Sequence, residues 1–105
     1  MAIQREQALG ILAQLGREPA VAFYEAGVAS AIKTVLSDLG LGFQVDGYGN
    51  IIVRVPGQDA DEAPIAFVAH MDHPGFEAFA AQGDCLVAKA LGGVPAASFS
   101  SGIRV

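Results

Sequence analysis

His70, Asp72 and His73 fall within a stretch of four residues, at the point where the apolar run Ile65 to Ala69 ends. A neutral imidazole is a good zinc ligand, and its second ring nitrogen usually needs an oriented partner. Asp72, two residues on, points to the same side as His70 if the chain stays extended. There it can hold the imidazole ring or tune a neighbouring group electrostatically. Ligands of open α/β sheets bind beyond the carboxyl ends of the strands, which is where His70 would sit. A tetrahedral zinc shell, however, takes three or four protein ligands, and a His-x-Asp triplet also arises as plain polarity at a strand end. Read from these residues alone, the stretch is either half of a metal site or an ordinary strand terminus.

Two helices and a set of short strands would have to position it. From about residue 3 to 15, Ala8, Ile11, Leu12 and Leu15 share one helical face, and Gly16 is a natural stop. Pro19 suits the first turn of a second helix, in which Val28, Ile32, Val35 or Leu36, and Leu39 recur at spacings of three and four. Gly40 stands where a left-handed cap belongs, with Leu41 folding back on the last turn. Glu25 serves the start of that helix. The period then changes to two. Strands are expected at about 42–46 and 50–56, joined through Gly47-Tyr48-Gly49 into a hairpin. No helix follows those glycines, so they make no phosphate cradle.

Pro56 to Pro64 reads as a polar exposed loop, and Ile65 to Ala69 as a strand buried on both faces. Phe76 to Ala81 and Cys85 to Ala90 read as two more strands, joined at Gln82-Gly83-Asp84, and Ile103 to Val105 as the start of another. Cys85, between apolar neighbours, is expected to be a buried small hydrophobe. The fold class is α/β: two N-terminal helices, a hairpin and a buried strand over residues 1–75, then the beginning of a β-rich lobe over residues 76–105.

Composition narrows the function classes. The chain has 105 residues, 52% of them hydrophobic and 16% charged, which is too apolar for a disordered tail. Its net charge is -5, from 11 acidic and 6 basic residues, and the basic ones form no stripe. Phosphate neutralisation needs clustered cations, so no nucleic-acid partner is expected. Apolar stretches fall short of a membrane span and no signal-type block opens the chain, so no membrane association and a cytoplasmic location are expected. The single Cys85 has no partner for an intrachain disulfide.

The order of these elements resembles the N-terminal segment of the deblocking and glutamyl aminopeptidases, a family of co-catalytic metallopeptidases. A first helix REQALGILAQL, a second helical region with Glu25, then VDGYGNIIVRVPG and IAFVAHMDHPGF follow that family's order. Asp46, Gly49 and Asn50 match its Asp-x-x-Gly-Asn turn. Ala69, His70, Asp72, Gly75 and Phe76 match its Ala-His-x-Asp-x-x-Gly-Phe motif. Gly92-Gly93 and Ser101 to Val105 resemble the entry into the family's inserted β-barrel lobe. The family places an acidic residue after the Asp; this chain has His73, read as a solvent-facing side chain.

The resemblance implies a zinc-peptidase-like α/β/α sheet, and a divalent metal, zinc or cobalt, as cofactor of the complete enzyme. His70 would be a metal ligand, and Asp72 would serve catalysis by supporting that ligand. Paired metals in such enzymes activate a water and polarise the scissile carbonyl. Peptide N-termini are the implied substrate and a homo-oligomer the implied assembly. The bridging Asp, the general-base Glu and the remaining ligands of the family have no counterpart here, so this chain alone is expected to be inactive and to bind no metal tightly. The alternative is a non-catalytic interaction or oligomerisation module, whose exposed strand edges would invite pairing.

Overall fold

The structure, a computed structural model, describes residues 4–55, 57 and 65–102. It is mixed α/β. In chain order come α1 (Arg5–Leu15), α2 (Ala26–Asp38), β1 (Phe43–Val45), β2 (Ile51–Val53), β3 (Gly75–Gln82) and β4 (Cys85–Leu91), followed by a short 3-10 turn at Ala96–Ser98. β1 and β2 form one antiparallel sheet, β3 and β4 another. Among the described residues no helix is long and apolar enough to cross a membrane.

α1 ends at Gly16, whose amide still reaches the Leu12 carbonyl at 2.9 Å. α2 does not begin at Pro19 as the sequence suggests; it begins seven residues later, at Ala26. The reason lies in the turn between. Tyr24 donates to the Val21 carbonyl at 2.9 Å, and Phe23, the third residue of that turn, has φ +74°. A positive φ at this position is the mark of a type II turn, where Gly or Asn is usual, and no residue in that conformation continues a right-handed helix. Glu25 does not cap α2. Its Oε1 accepts from the Phe23 amide at 2.9 Å and so holds the turn instead.

The other end of α2 follows the local rule closely. Gly40, at φ +69°, donates to Ser37 O at 2.9 Å, and Leu41 donates to Leu36 O at 2.9 Å. This pair of bonds is a Schellman motif, which satisfies two carbonyls the helix would otherwise leave open.

The β1–β2 hairpin has Phe43 opposite Val53 and Val45 opposite Ile51. Its loop is organised by one carboxylate. Asp46 Oδ1 accepts from the Tyr48 and Asn50 amides, each at 2.9 Å, and Oδ2 accepts from Asn50 Nδ2 at 2.8 Å. Gly49 supplies the left-handed residue at φ +89°. The Asn50 side chain, then its backbone amide, hold the Asp46 carboxyl below its ordinary value, with the Tyr48 and Gly49 amides adding smaller pulls against a slight desolvation.

β3 and β4 pair from Gly75 opposite Leu91 to Gln82 opposite Cys85, with an irregularity between Ala78 and Ala80 that leaves Phe79 as the extra residue of a bulge. Phe76 meets Phe99 edge to face, with ring centroids 5.9 Å apart. β1 and β2 are each shorter than expected, three residues apiece, whereas β3 and β4 extend one residue or so beyond the sequence reading.

Burial departs most from expectation. Among the described residues only Ala20 and Val28 are buried apolar side chains. α1 packs on α2, β1 on β2 and β3 on β4, and no other pair of elements packs closely. Ile65 to Ala69, expected as a doubly buried strand, pairs with no strand; Phe67 is 97% and Val68 95% exposed. A strand is defined by its neighbours, and none of the described residues supplies one. Cys85 is likewise exposed, not buried, because a two-stranded ribbon covers neither of its own faces. The expected loop at Pro56 to Pro64 and strand at Ile103 to Val105 lie, Gly57 apart, outside the described residues.

Two substitutions check these local readings. Gly40→Ala meets no atom at the new Cβ, so its cost is the left-handed backbone alone, about 1–2 kcal/mol. Amide exchange of the last turn of α2 should quicken accordingly, and an unchanged rate would show that the cap contributes nothing. For Asp46, a folded-state pKa below the unfolded one means stability present above about pH 3.9 and lost as pH falls through the depressed value. The Tyr48 and Asn50 amide resonances should therefore titrate below the ordinary carboxylate range, and Asp46→Ala should abolish that step.

Candidate functional site

The His70 ring is held from one side. Its Nδ1 lies 2.7 Å from the Asp72 backbone carbonyl and 3.2 Å from Asp72 Oδ1. Both partners only accept, so Nδ1 carries the proton and Nε2 of the neutral ring bears the free lone pair. A carbonyl or carboxylate on one ring nitrogen is the arrangement that orients a metal-ligating histidine through the other. The side chain is 82% exposed, so Nε2 is open to a ligand. Asp72, half-buried, reaches the ring with its carboxylate and its main chain together.

His73 does something different. Its Nδ1 lies 3.1 Å from the Pro74 carbonyl, which again places the proton there. Its Nε2 accepts from the Ala20 amide at 3.3 Å, while the His73 amide donates to the Ala20 carbonyl at 2.8 Å. The residue is exposed, as expected of a solvent-facing side chain, yet both ring nitrogens are engaged. His73 is a backbone clasp on Ala20 with no nitrogen left for a metal.

The clasp belongs to a longer seam. Gly75 starts β3 against Val21, so close that a Cβ at Gly75 would overlap the Val21 side chain. Two residues further, Tyr24 Oη donates to Glu77 Oε1 at 2.6 Å. The Glu77 hydrogen bond first, then its negative charge, raise the Tyr24 pKa above the usual phenol value. Residues 20 to 24 thus lie along residues 73 to 77. Sequence reasoning left Ala20, Val21 and Tyr24 out of the site, since nothing local to them signals a partner more than fifty positions away.

Among the described residues, neither Cys85 nor an acid other than Asp72 joins His70. Among the described residues, no three His, Cys, Asp or Glu side chains converge into a metal-holding group. His70 with Asp72 thus fits, among the described residues, one ligand position and its oriented support.

The two histidines should separate in a mutational test that uses Tyr24 as reporter. His73→Ala orphans the buried Ala20 amide, at a cost of about 1–3 kcal/mol. It should loosen the seam and let the Tyr24 pKa fall back towards 10. His70→Ala should leave the Tyr24 titration where it is. The raised value means that the bond's stabilisation is full below about pH 10 and is lost as pH rises through the folded-state pKa. Equal responses from both variants would refute the division of roles.

Compared with known proteins, the chain matches no family model, no curated protein and no solved structure.

Proposed function

We propose that this chain is part of a metal-dependent, aminopeptidase-like hydrolase in which His70 supplies one ligand to a two-metal centre acting on peptide N-termini. The observation that carries the reading is the geometry at His70: Nδ1 lies 2.7 Å from the Asp72 carbonyl and 3.2 Å from its Oδ1, which leaves Nε2 of an exposed ring for a ligand. In such a centre the metals, zinc or cobalt, supply an activated water and polarise the scissile carbonyl. The role of Asp72 here is to hold the ring. His73 fixes the exit of the segment by clasping Ala20, and Pro74-Gly75 directs the chain into β3. The motif Ala69-His70-x-Asp72-x-x-Gly75-Phe76, which resembles that of the deblocking and glutamyl aminopeptidases, supports the same reading. Residues 1–75 would then contribute to the catalytic sheet and residues 76–105 to the inserted lobe.

One imidazole with its support does not make a hydrolytic site. On its own the chain should bind metal weakly and turn over no peptide. The second reading, an interaction or assembly module without catalysis, is favoured by the uncovered apolar run at Ile65 to Ala69. It gives no reason for an oriented, outward lone pair on His70.

Paramagnetic cobalt discriminates. Titrated into the chain, Co2+ should broaden the ring resonances of His70 well before those of His73, and His70→Ala should remove the effect. Equal broadening of both rings would sink the ligand assignment. No hydrolysis of an aminoacyl-p-nitroanilide is expected from the chain alone, and stoichiometric metal with turnover would contradict that.

A further inference from the structure

His73 holds Ala20 by a bond that needs a neutral ring. The Ala20 amide donates to Nε2 at 3.3 Å, and Nδ1 lies 3.1 Å from the Pro74 carbonyl, to which it donates. A neutral imidazole offers one acceptor, and Ala20 uses it. In the imidazolium both nitrogens are donors, so turning the ring over restores nothing. Protonation sets Nε2–H against the Ala20 N–H, and Ala20, 1% exposed, has no water to turn to. His73 itself is exposed, so a proton reaches the ring from solvent before anything opens.

No carboxylate stands ready to hold the cation in place. On the facing stretch Glu18 lies towards Gly27, Glu25 accepts from the Phe23 amide, and Tyr24 is bonded to Glu77 of β3. Lys89 of β4 stands opposite Glu77 in register, and Asp72 is turned to His70. Arg17, a cation, is no partner for another. Among the described residues the ion pair within 4.0 Å is that of His70 with Asp72, and it leaves His73 out.

We infer that His73 is a pH-operated latch between the helical half of the chain and the β3–β4 ribbon. No helix packs closely on β3 or β4, so the ribbon meets the helical half through the seam of Ala20 on His73, Val21 on Gly75 and Tyr24 on Glu77. An imidazole changes charge between about pH 5 and 8. The latch is closed at the top of that range, and its stabilisation is lost as pH falls through it. Opening frees the ribbon from residues 20–24. The device goes beyond the proposed function and needs no metal.

The test runs with chelator present, so that failure of the metal assignment does not touch it. From about pH 8 to about pH 5.5, protection of the Ala20 amide against exchange should fall about tenfold or more. The nuclear Overhauser contact between Val21 and Gly75 should fade with it, while the helical circular dichroism stays. His73→Gln, which keeps an acceptor but takes up no proton, should remove the pH dependence; His70→Ala should leave it intact. In the unsubstituted chain, 15N shifts should show His73 Nε2 gaining its proton over the range in which Ala20 loses protection. Four results would overturn the proposal: Ala20 protection that does not change with pH, a fall that persists in His73→Gln, a Val21–Gly75 contact that outlasts the fall, or a protonated His73 with Ala20 still protected. Loss of the helical signal together with the seam would overturn it too, since that is general unfolding and not a latch.

Discussion

Ala20 is the residue on which the two ends of the described chain meet. It is buried, and both its backbone groups are satisfied by one residue, His73, through a ring nitrogen and a main-chain amide. A buried amide without a partner costs about as much as several exposed bonds return, so this clasp fixes where residue 73 lies. The rest follows from it. With His73 placed, Gly75 must come up against Val21, and only a residue without a side chain fits there. With Gly75 placed, Glu77 comes within reach of Tyr24. The seam sets the direction in which β3 leaves, and behind it the short stretch that carries His70.

The same seam explains why two histidines three residues apart have unlike roles. Each has its Nδ1 proton on a nearby carbonyl, so each presents Nε2 as an acceptor. For His73 that acceptor is taken by Ala20. For His70 it is not. A clasp and a ligand position thus arise from the same ring chemistry, separated only by what lies opposite Nε2.

Outside the seam the described residues form paired elements with little shared interior. A two-stranded ribbon is marginal by itself in water, and a helix pair with one buried valine has little core of its own. Apolar residues make up 52% of the sequence, enough for a substantial interior, yet two of the described side chains use it.

Much of the local structure was legible in the residues. Gly40 with Leu41, and Asp46 with Gly49 and Asn50, carry their own instructions, because the bonds they form close within five positions of chain. The β3–β4 hairpin was equally legible, being two apolar runs about a Gly-Asp turn. The start of α2 was not. Pro19 suits a helix start, but a type II turn with Phe23 at its third position took the intervening residues, a conformation no propensity for Phe would suggest.

His70 and Asp72 as a pair were also legible, since two positions of chain are enough to bring their groups together. What the sequence by itself determined is therefore the set of short-range structures: caps, turns, hairpins and the His70–Asp72 contact. That His73 clasps Ala20, and that Tyr24 meets Glu77, were decided by the tertiary structure. Burial was decided there as well. An apolar run such as Ile65 to Ala69 states only that it should be covered; whether it is depends on what other chain lies beside it, and that is a property of the whole fold.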